Sequence, residues 1–473
     1  MKSLQWKYIL PVVLPLIILA LPSSFFGIDG LTLVQQRVIA IFVLAALCWV
    51  LEPFPIYATS VVIIVLELLL LSDHGLWFLT DSSDPNLGVL LKQTTIMSTF
   101  ASPIIMLFLG GFFLAMAATK YRLDVNLARI LLTPFGKKPK YVMIGIMMIT
   151  AVFSMFMSNT ATTAMMLSIL TPVLLLFDKD DLGKVGFALS VPVAANIGGI
   201  ATPIGTPPNA VALKYLGDAN SISFAKWMMI GLPFVVLLLF FAWLLLNRFF
   251  PAAKKEIILS IEGQFLRTTQ AYIVYVTFTV TILLWLLSGF HGMSAYVVAL
   301  IPVAVFSIFN IITAQDLKRI SWDVLWLVSG GIALGVALEK TGLAANAVAA
   351  IPFENFHPLY LIAGASLLCL VMANFMSNTA TANLLLPLVA ALGASMTSLV
   401  PFGGQVVLIL AVTFSASLGM CLPVSTPPNA LAFASGHIKT QQMLKVGFIL
   451  GTVGLLLVFA LLYILQQLGF FAV

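Results

Sequence analysis

Charge is what this chain has least of. Asp, Glu, Lys and Arg make up 8% of its 473 residues, against 61% hydrophobic residues and a mean hydropathy of +1.11. A water-soluble domain of this length could not cover its surface with so few charges. Histidine is almost as scarce: His74, His291, His357 and His437 are scattered and form no metal-ligand spacing. The three cysteines, Cys48, Cys369 and Cys421, each lie inside an apolar run, which excludes a disulfide or metal framework and leaves small buried hydrophobes. No Ser-His-Asp or metal constellation is visible, so the sequence argues against an enzyme and calls for no organic cofactor. Acidic residues in or near the spans are mainly Glu52 and Glu67, and no Asp/Glu/His proton relay appears. Glu52, beside Pro53, reads as an interfacial residue.

The net charge of +6 does not point to nucleic acid. Its basic residues sit in short loops (Lys137-Lys138-Pro139-Lys140, Lys254-Lys255, Lys318-Arg319), as cytoplasmic loops do. What the chain has in abundance is apolar sequence long enough to cross a bilayer, as in Trp227–Phe250 and Tyr272–Phe290. Backbone in lipid must satisfy itself, which favours helices. The runs are continuous rather than alternating, so a β-barrel is excluded. Tyr8–Leu21, behind Lys2 and Lys7, reads as a retained signal anchor.

From a cytoplasmic N-terminus, spans fall near 8–22, 38–51, 57–72, 104–119, 185–213, 227–249, 271–290, 295–309, 325–338, 406–435 and 446–466. Two further apolar regions, 141–177 and 359–396, each leave and return on one side. All three basic loops then lie inside and the C-terminus outside, an all-α multi-pass protein of about eleven spans. Compact loops hint at a bacterial inner membrane.

The strongest signal is an internal repeat. Gly110-Gly111 recurs as Gly330-Gly331, Lys120 as Lys340 and Thr206-Pro207-Pro208-Asn209-Ala210 as Thr426-Pro427-Pro428-Asn429-Ala430, each 220 residues on; Ser158-Asn159-Thr160 recurs as Ser377-Asn378-Thr379, 219 on. A nearly constant offset means duplicated units. The crossing count makes the copies run oppositely, an inverted repeat of the sort many secondary transporters use. The copies occupy 104–250 (hairpin 141–177, broken helix 185–213) and 325–473 (hairpin 359–396, broken helix 406–435), with scaffold helices in 1–103 and a linker with scaffold helices in 251–324.

Paired prolines should unwind a helix at each TPPN, with Gly198, Gly199 and Gly205 adding flexibility before the first break and Gly419 before the second. Unwound backbone at membrane depth is tolerated where it is buried in protein or lines a cavity, so two such breaks in inverted copies point to a midplane site. The triplets bring hydroxyls and amides that can donate to carboxylates or ligate Na+ through their oxygens, and the helix starts after triplet and break offer N–H groups and a positive dipole end. Ser, Asn and Thr also glue helices together without any ligand, but a triplet paired with a break about fifty residues later, twice, favours a site. Neither motif contains Lys or Arg. Two equivalent donor clusters suit an anion charged at both ends, a dicarboxylate. Polar residues concentrated at paired motifs fit an occluded site better than a channel. The arms flanking the first triplet, Tyr141–Met157 and Ala161–Phe177, are 17 residues each, so topology alone leaves full crossing and re-entry equally open.

The paired SNTAT strings, the two TPPNA breaks, GGIATPIGTPPNA (198–210) and FLGGFFLAMA (108–117) resemble the divalent anion/sodium symporter family, the INDY-like carriers of succinate, malate, 2-oxoglutarate and citrate. The resemblance covers essentially the whole chain. It implies a homodimer with scaffold and transport domains, an elevator motion, and triplets at the tips of re-entrant hairpins. It also implies substrate contacts from Ser158, Asn159, Thr160, Ser377, Asn378 and Thr379, with Thr206 and Thr426 contributing from the breaks at Pro207 and Pro427. A first sodium site resembles Ser154, Ser158, Asn159 and backbone near Gly205; a second, Asn378 and backbone near Met376 and Ser425. Sodium-coupled relatives often read Thr-Glu-x-Thr-Ser-Asn before the second triplet, whereas here Ala373 offers no oxygen at the first position. Sodium symport is therefore the reading, with sodium-independent dicarboxylate exchange as its alternative and citrate or sulfate carriage behind both.

Overall fold

The computed structural model describes all residues except 1, 29, 81–83, 176, 179, 217–221, 258–262, 351–352, 354–355 and 472–473. Among the described residues the structure is helical, with one isolated bridge between Ser72 and Leu91. The principal helices open with α1 (Lys2–Ala20), α2 (Leu33–Leu51) and α3 (Ile56–Leu70). The first repeat follows: α4 (Pro103–Lys120), α5 (Pro139–Phe156), α6 (Asn159–Leu174), α7 (Leu182–Gly198), α8 (Pro207–Tyr215) and α9 (Phe224–Phe249). After α10 (Thr269–Leu286) and α11 (Ala295–Ile308) comes the second: α12 (Trp322–Lys340), α13 (Pro358–Phe375), α14 (Asn378–Ser395), α15 (Gly404–Ser417), α16 (Pro427–Ala434) and α17 (Thr440–Gln467). Each element of the first copy has its counterpart in the second.

Both expected hairpins and both breaks are present. Met157 and Met376 are extended (φ −125°, ψ 162° and φ −131°, ψ 172°) and end α5 and α13. Ser158 and Ser377 then cap α6 and α14, each hydroxyl accepting the N–H three residues on, from Ala161 and Ala380. Thr206 and Thr426 have nearly identical extended conformations (φ −145°, ψ 143° and φ −144°, ψ 148°), and each is followed by proline at the first helical position, where no N–H is needed.

By length and apolarity, nine described helices could cross a membrane; they include the hairpin arms α5 and α13, while α3, α11 and α15 are shorter. The expected spans and these nine therefore differ. A broken helix divides one crossing between two short pieces, and a hairpin arm matches a crossing helix in length.

Packing groups the helices differently from chain order. The largest buried apolar cluster joins residues of the hairpins, α7, α9, α15 and α17. A second joins α4, α10, α11 and α12, and a third joins α2, α3 and α12 with Ala380 and Leu384 of α14. Two close approaches are equivalent in the copies: Gly110 lies against the Ala299 carbonyl of α11 and Gly330 against Ser60 of α3, so any Cβ would collide.

The three basic loops share one face. Lys120 Nζ pairs with Asp316 at 2.6 Å, Asn126 Nδ2 donates to the Gln264 carbonyl at 3.1 Å, and Ile257 N–H to the Lys137 carbonyl at 2.8 Å. The bond from Lys120 holds the Asp316 carboxyl down at about 2.

Candidate functional site

Four helix starts meet at one cavity of about 330 Å³, within the range of small-molecule sites. Ser158, Asn159 and Thr160 approach from one hairpin tip and Ser377, Asn378 and Thr379 from the other. Gly205, Thr206 and Pro207 line it from the first break, Ser425, Thr426 and Pro427 from the second. The two Asn-bearing tips thus share a pocket. Among the described residues lining it there is no Lys or Arg; Asp323 stands at one edge. The remaining surface is apolar or aromatic, with Phe108, Phe112, Tyr57 and Ile204.

The donors come from fewer places than the sequence implies. Helix starts leave their first N–H groups without intrahelical acceptors, which makes Asn159, Thr160, Asn378 and Thr379 backbone donors at the tips. The starts of α8 and α16 do not add free N–H groups, because proline occupies both first positions and Asn209 N–H bonds the Thr206 carbonyl at 3.1 Å. These two helices offer the positive dipole end alone.

Each break is held by its asparagine. Asn209 Nδ2 lies within hydrogen-bond reach of the carbonyls of Gly199 (3.1 Å), Ile200 (3.2 Å) and Thr202 (2.8 Å), and Asn429 Nδ2 donates to those of Met420 (2.8 Å) and Leu422 (3.0 Å). Carbonyls freed by the unwound turn are thereby satisfied inside the protein. The glycines before the break supply room rather than flexibility. Gly198 packs on Ala151, and a carbon added to Gly199 would stand 2.7 Å from Asn159 Oδ1 and 3.0 Å from the Gly205 carbonyl.

That crowding brings oxygens together. Ser154 Oγ reaches Asn159 Oδ1 at 2.5 Å and the Ala195 carbonyl at 2.7 Å, beside the Gly205 carbonyl. Clustered neutral oxygens are the donor set a hard cation takes. In the second copy Ala373 occupies the place of Ser154, 219 residues on, with its methyl carbon against Gly419. Asn378 Oδ1, lacking a serine partner, is buried with no hydrogen bond. Ser425 Oγ donates to the Asn374 carbonyl at 2.8 Å, while the Met376 side chain sits in the third apolar cluster. Ser154, Ala373 and Met376 stand behind the cavity wall, not on it.

Sequence reasoning missed Asn196. Its Nδ2 donates to Thr426 Oγ1 and is 3.1 Å from Asn429 Oδ1, so α7 of one copy braces the break of the other. The repeat hides it, for its counterpart is Ala416. Phe112 and Tyr57 also line the cavity without any motif to mark them.

The family described as the sodium:sulfate symporter transmembrane region matches residues 2–468. Among curated relatives, the sodium-dependent dicarboxylate transporter SdcS of Staphylococcus aureus strain MRSA252 is 28% identical over 505 aligned residues, covering 98% of this chain and 92% of the relative. SdcS of strain NCTC 8325 is 28% identical over 492, covering 95% and 89%. The crystal structure of the Alcanivorax borkumensis YdaH transporter, described as having an unusual topology, aligns at a TM-score of 0.54 and 14% identity over 80% of this chain and 88% of its own, a likeness of fold. With that match running along nearly its whole length, the chain belongs to the sodium:sulfate symporter transmembrane family and is a multi-pass membrane transporter, not an enzyme.

Proposed function

We propose that this transporter carries dicarboxylates of four or five carbons, the succinate, malate and 2-oxoglutarate class, coupled to Na+. The observation that carries the reading is the pair of uncharged donor tips facing one cavity with no cationic side chain on its lining. A dianion bridging the tips would receive backbone N–H groups, hydroxyls and amides at each end, while the four helix dipoles favour negative charge between them. The sodium-dependent dicarboxylate relatives support both cargo and coupling ion. Ser158, Asn159, Thr160, Ser377, Asn378 and Thr379 are the proposed carboxylate contacts, with Thr206 and Thr426 beside them. Ser154, Asn159 and the Gly205 carbonyl are the proposed ligands of a first Na+, and Asn378 with backbone near Met376 and Ser425 those of a second.

The grouping of the hairpins and part of each broken helix in one core supports a moving unit carried past a scaffold, and we read the protein as a homodimer working by that elevator motion in the cell membrane, its basic loops cytoplasmic. Exchange of one dicarboxylate for another is the second reading, favoured by the Ala373 methyl where the first copy has the Ser154 hydroxyl.

Succinate uptake into proteoliposomes decides between them. Symport gives uptake that rises with an inward Na+ gradient into empty vesicles and is inhibited by malate far better than by acetate or sulfate. Uptake indifferent to Na+ but dependent on internal dicarboxylate establishes exchange. Equal inhibition by acetate and malate removes the two-ended cargo.

A further inference from the structure

Glu67 is a carboxyl placed where a membrane protein has every reason to avoid one. It lies in the last turn of α3 with no exposed surface, and neither carboxylate oxygen has a hydrogen-bond partner. An ionisable group at such a place is expensive and calls for a partner. Its nearest counter-charge is Lys214 at the end of α8, with which it interacts electrostatically. Lys214 Nζ donates to the Ile332 carbonyl of α12 at 2.8 Å, and the hydroxyl of Tyr215 is buried beside it without a partner. Both side chains end against Gly335, where a Cβ would collide with them, and both line a cavity of about 670 Å³.

This cluster belongs to one copy only. The residues equivalent to Lys214 and Tyr215, 220 on, are Ala434 and Ser435. The packing differs in the same sense: α8 lies on α14, α15 and α12, whereas α16 lies on α6 and α7 and makes no comparable contact with α4. A cavity of about 420 Å³ stands there instead, lined by Phe112, Lys120, Ser158 and Asp316. It shares Phe112 and Ser158 with the central cavity. The central cavity is therefore closed by α8 on the α12 side and adjoins free space on the α4 side.

Other charges around α3 are otherwise engaged. Arg37 of α2 donates to the Leu70 and Leu79 carbonyls. On α12, Glu339 and Lys340 pair with one another at 3.5 Å, more than half exposed, and Asp323 lies at the opposite end. Cys48 of α2 and Tyr57 at the start of α3 complete the titratable groups, and the short helix Gln93–Met97, also packed on α3, contributes none beyond the neighbouring Lys92.

We propose that Glu67 is a proton-binding site governed by Lys214. With α8 seated on α12, the Lys214 ammonium balances a Glu67 carboxylate. When α8 leaves α12 the ammonium goes with it. Glu67, fixed between α3 and α12 by their close packing, then takes one proton from water and becomes a neutral acid; the proton returns to water when α8 reseats. Acid therefore favours opening of this side. The inference needs α8 to move and does not depend on the identity of the cargo, so it stands or falls separately from the uptake assay.

The test uses a cysteine at Leu338, buried and lining the cavity beside Lys214, in the full-length protein with the native cysteines replaced. Its labelling by a polar maleimide without cargo is normalised to the same thiol in unfolded protein. Between about pH 8 and about pH 6 the normalised rate should rise, approaching at its steepest about tenfold per pH unit for one linked proton. Glu67→Gln should label fast at both pH values. Lys214→Met should lose the pH response, because Glu67 then has no cation to lose, and this variant decides the matter where the glutamine protein does not fold. A parent without pH response, or a parent-like response in either variant, overturns the proposal.

Discussion

At the residue scale the polar motifs divide into those that face the cavity and those that hold its walls, and substitution separates them. Asn209 satisfies carbonyls of the unwound turn from a site with no exposed surface. Asn209→Ala would leave buried acceptors unpaired, and a loss of about 2 kcal/mol or more is expected, read as a fall in the thermal unfolding midpoint of the purified protein. Asn159 is different. Removing its amide leaves Ser154 Oγ still bonded to the Ala195 carbonyl, so Asn159→Ala should keep the parent midpoint while abolishing succinate uptake. Asn378→Ala should behave alike. Uptake by both tip variants at the parent rate would remove the tips from the site. The triplets and the TPPN breaks were legible because they stand out against apolar sequence and recur. The division of labour was not: the same amide chemistry serves cargo at Asn159 and backbone at Asn209, and only the surroundings decide.

At the element scale, the helices were legible from unbroken apolarity and the interruptions from proline. What the sequence could not separate was a hairpin arm from a crossing helix, since α5 and α13 have the length of either. Nor could it tell which glycine of each Gly-Gly pair matters. The structure distinguishes them by what a methyl group would meet. At Gly111 the nearest atom is Ile204 Cδ1 at 3.7 Å, an ordinary contact, whereas at Gly330 the methyl collides with Ser60. Gly330→Ala should force α12 from α3 at about 1–3 kcal/mol, the usual range for overpacking. Gly111→Ala should lie within about 0.5 kcal/mol of the parent. Thermal unfolding of the two variants side by side measures the difference, and equal midpoints would mean that α3 and α12 do not meet as closely as described.

At the scale of the whole molecule, the offset of 219 to 220 residues revealed two copies, and crossing parity made them opposite in direction. It could not reveal that the copies pack unequally, because motif strings that match this closely carry no record of which side is closed. The direction in the membrane rests on charge. Hydrogen bonds and an ion pair gather the regions around Lys120, Lys137, Ile257 and Asp316 on one face, and a face with that many basic loops is retained in the cytoplasm. From there α17 runs to the other side, its end near the exposed Leu468. Two single-cysteine proteins with the native cysteines replaced test this in whole cells. Lys255→Cys should resist a membrane-impermeant maleimide until the cells are opened, and Leu468→Cys should react at once. The reverse pattern would invert the molecule, placing the Lys214 side of the cavity, rather than the Lys120 side, toward the cytoplasm. Reaction of both from outside would break the odd number of crossings on which the inverted repeat depends.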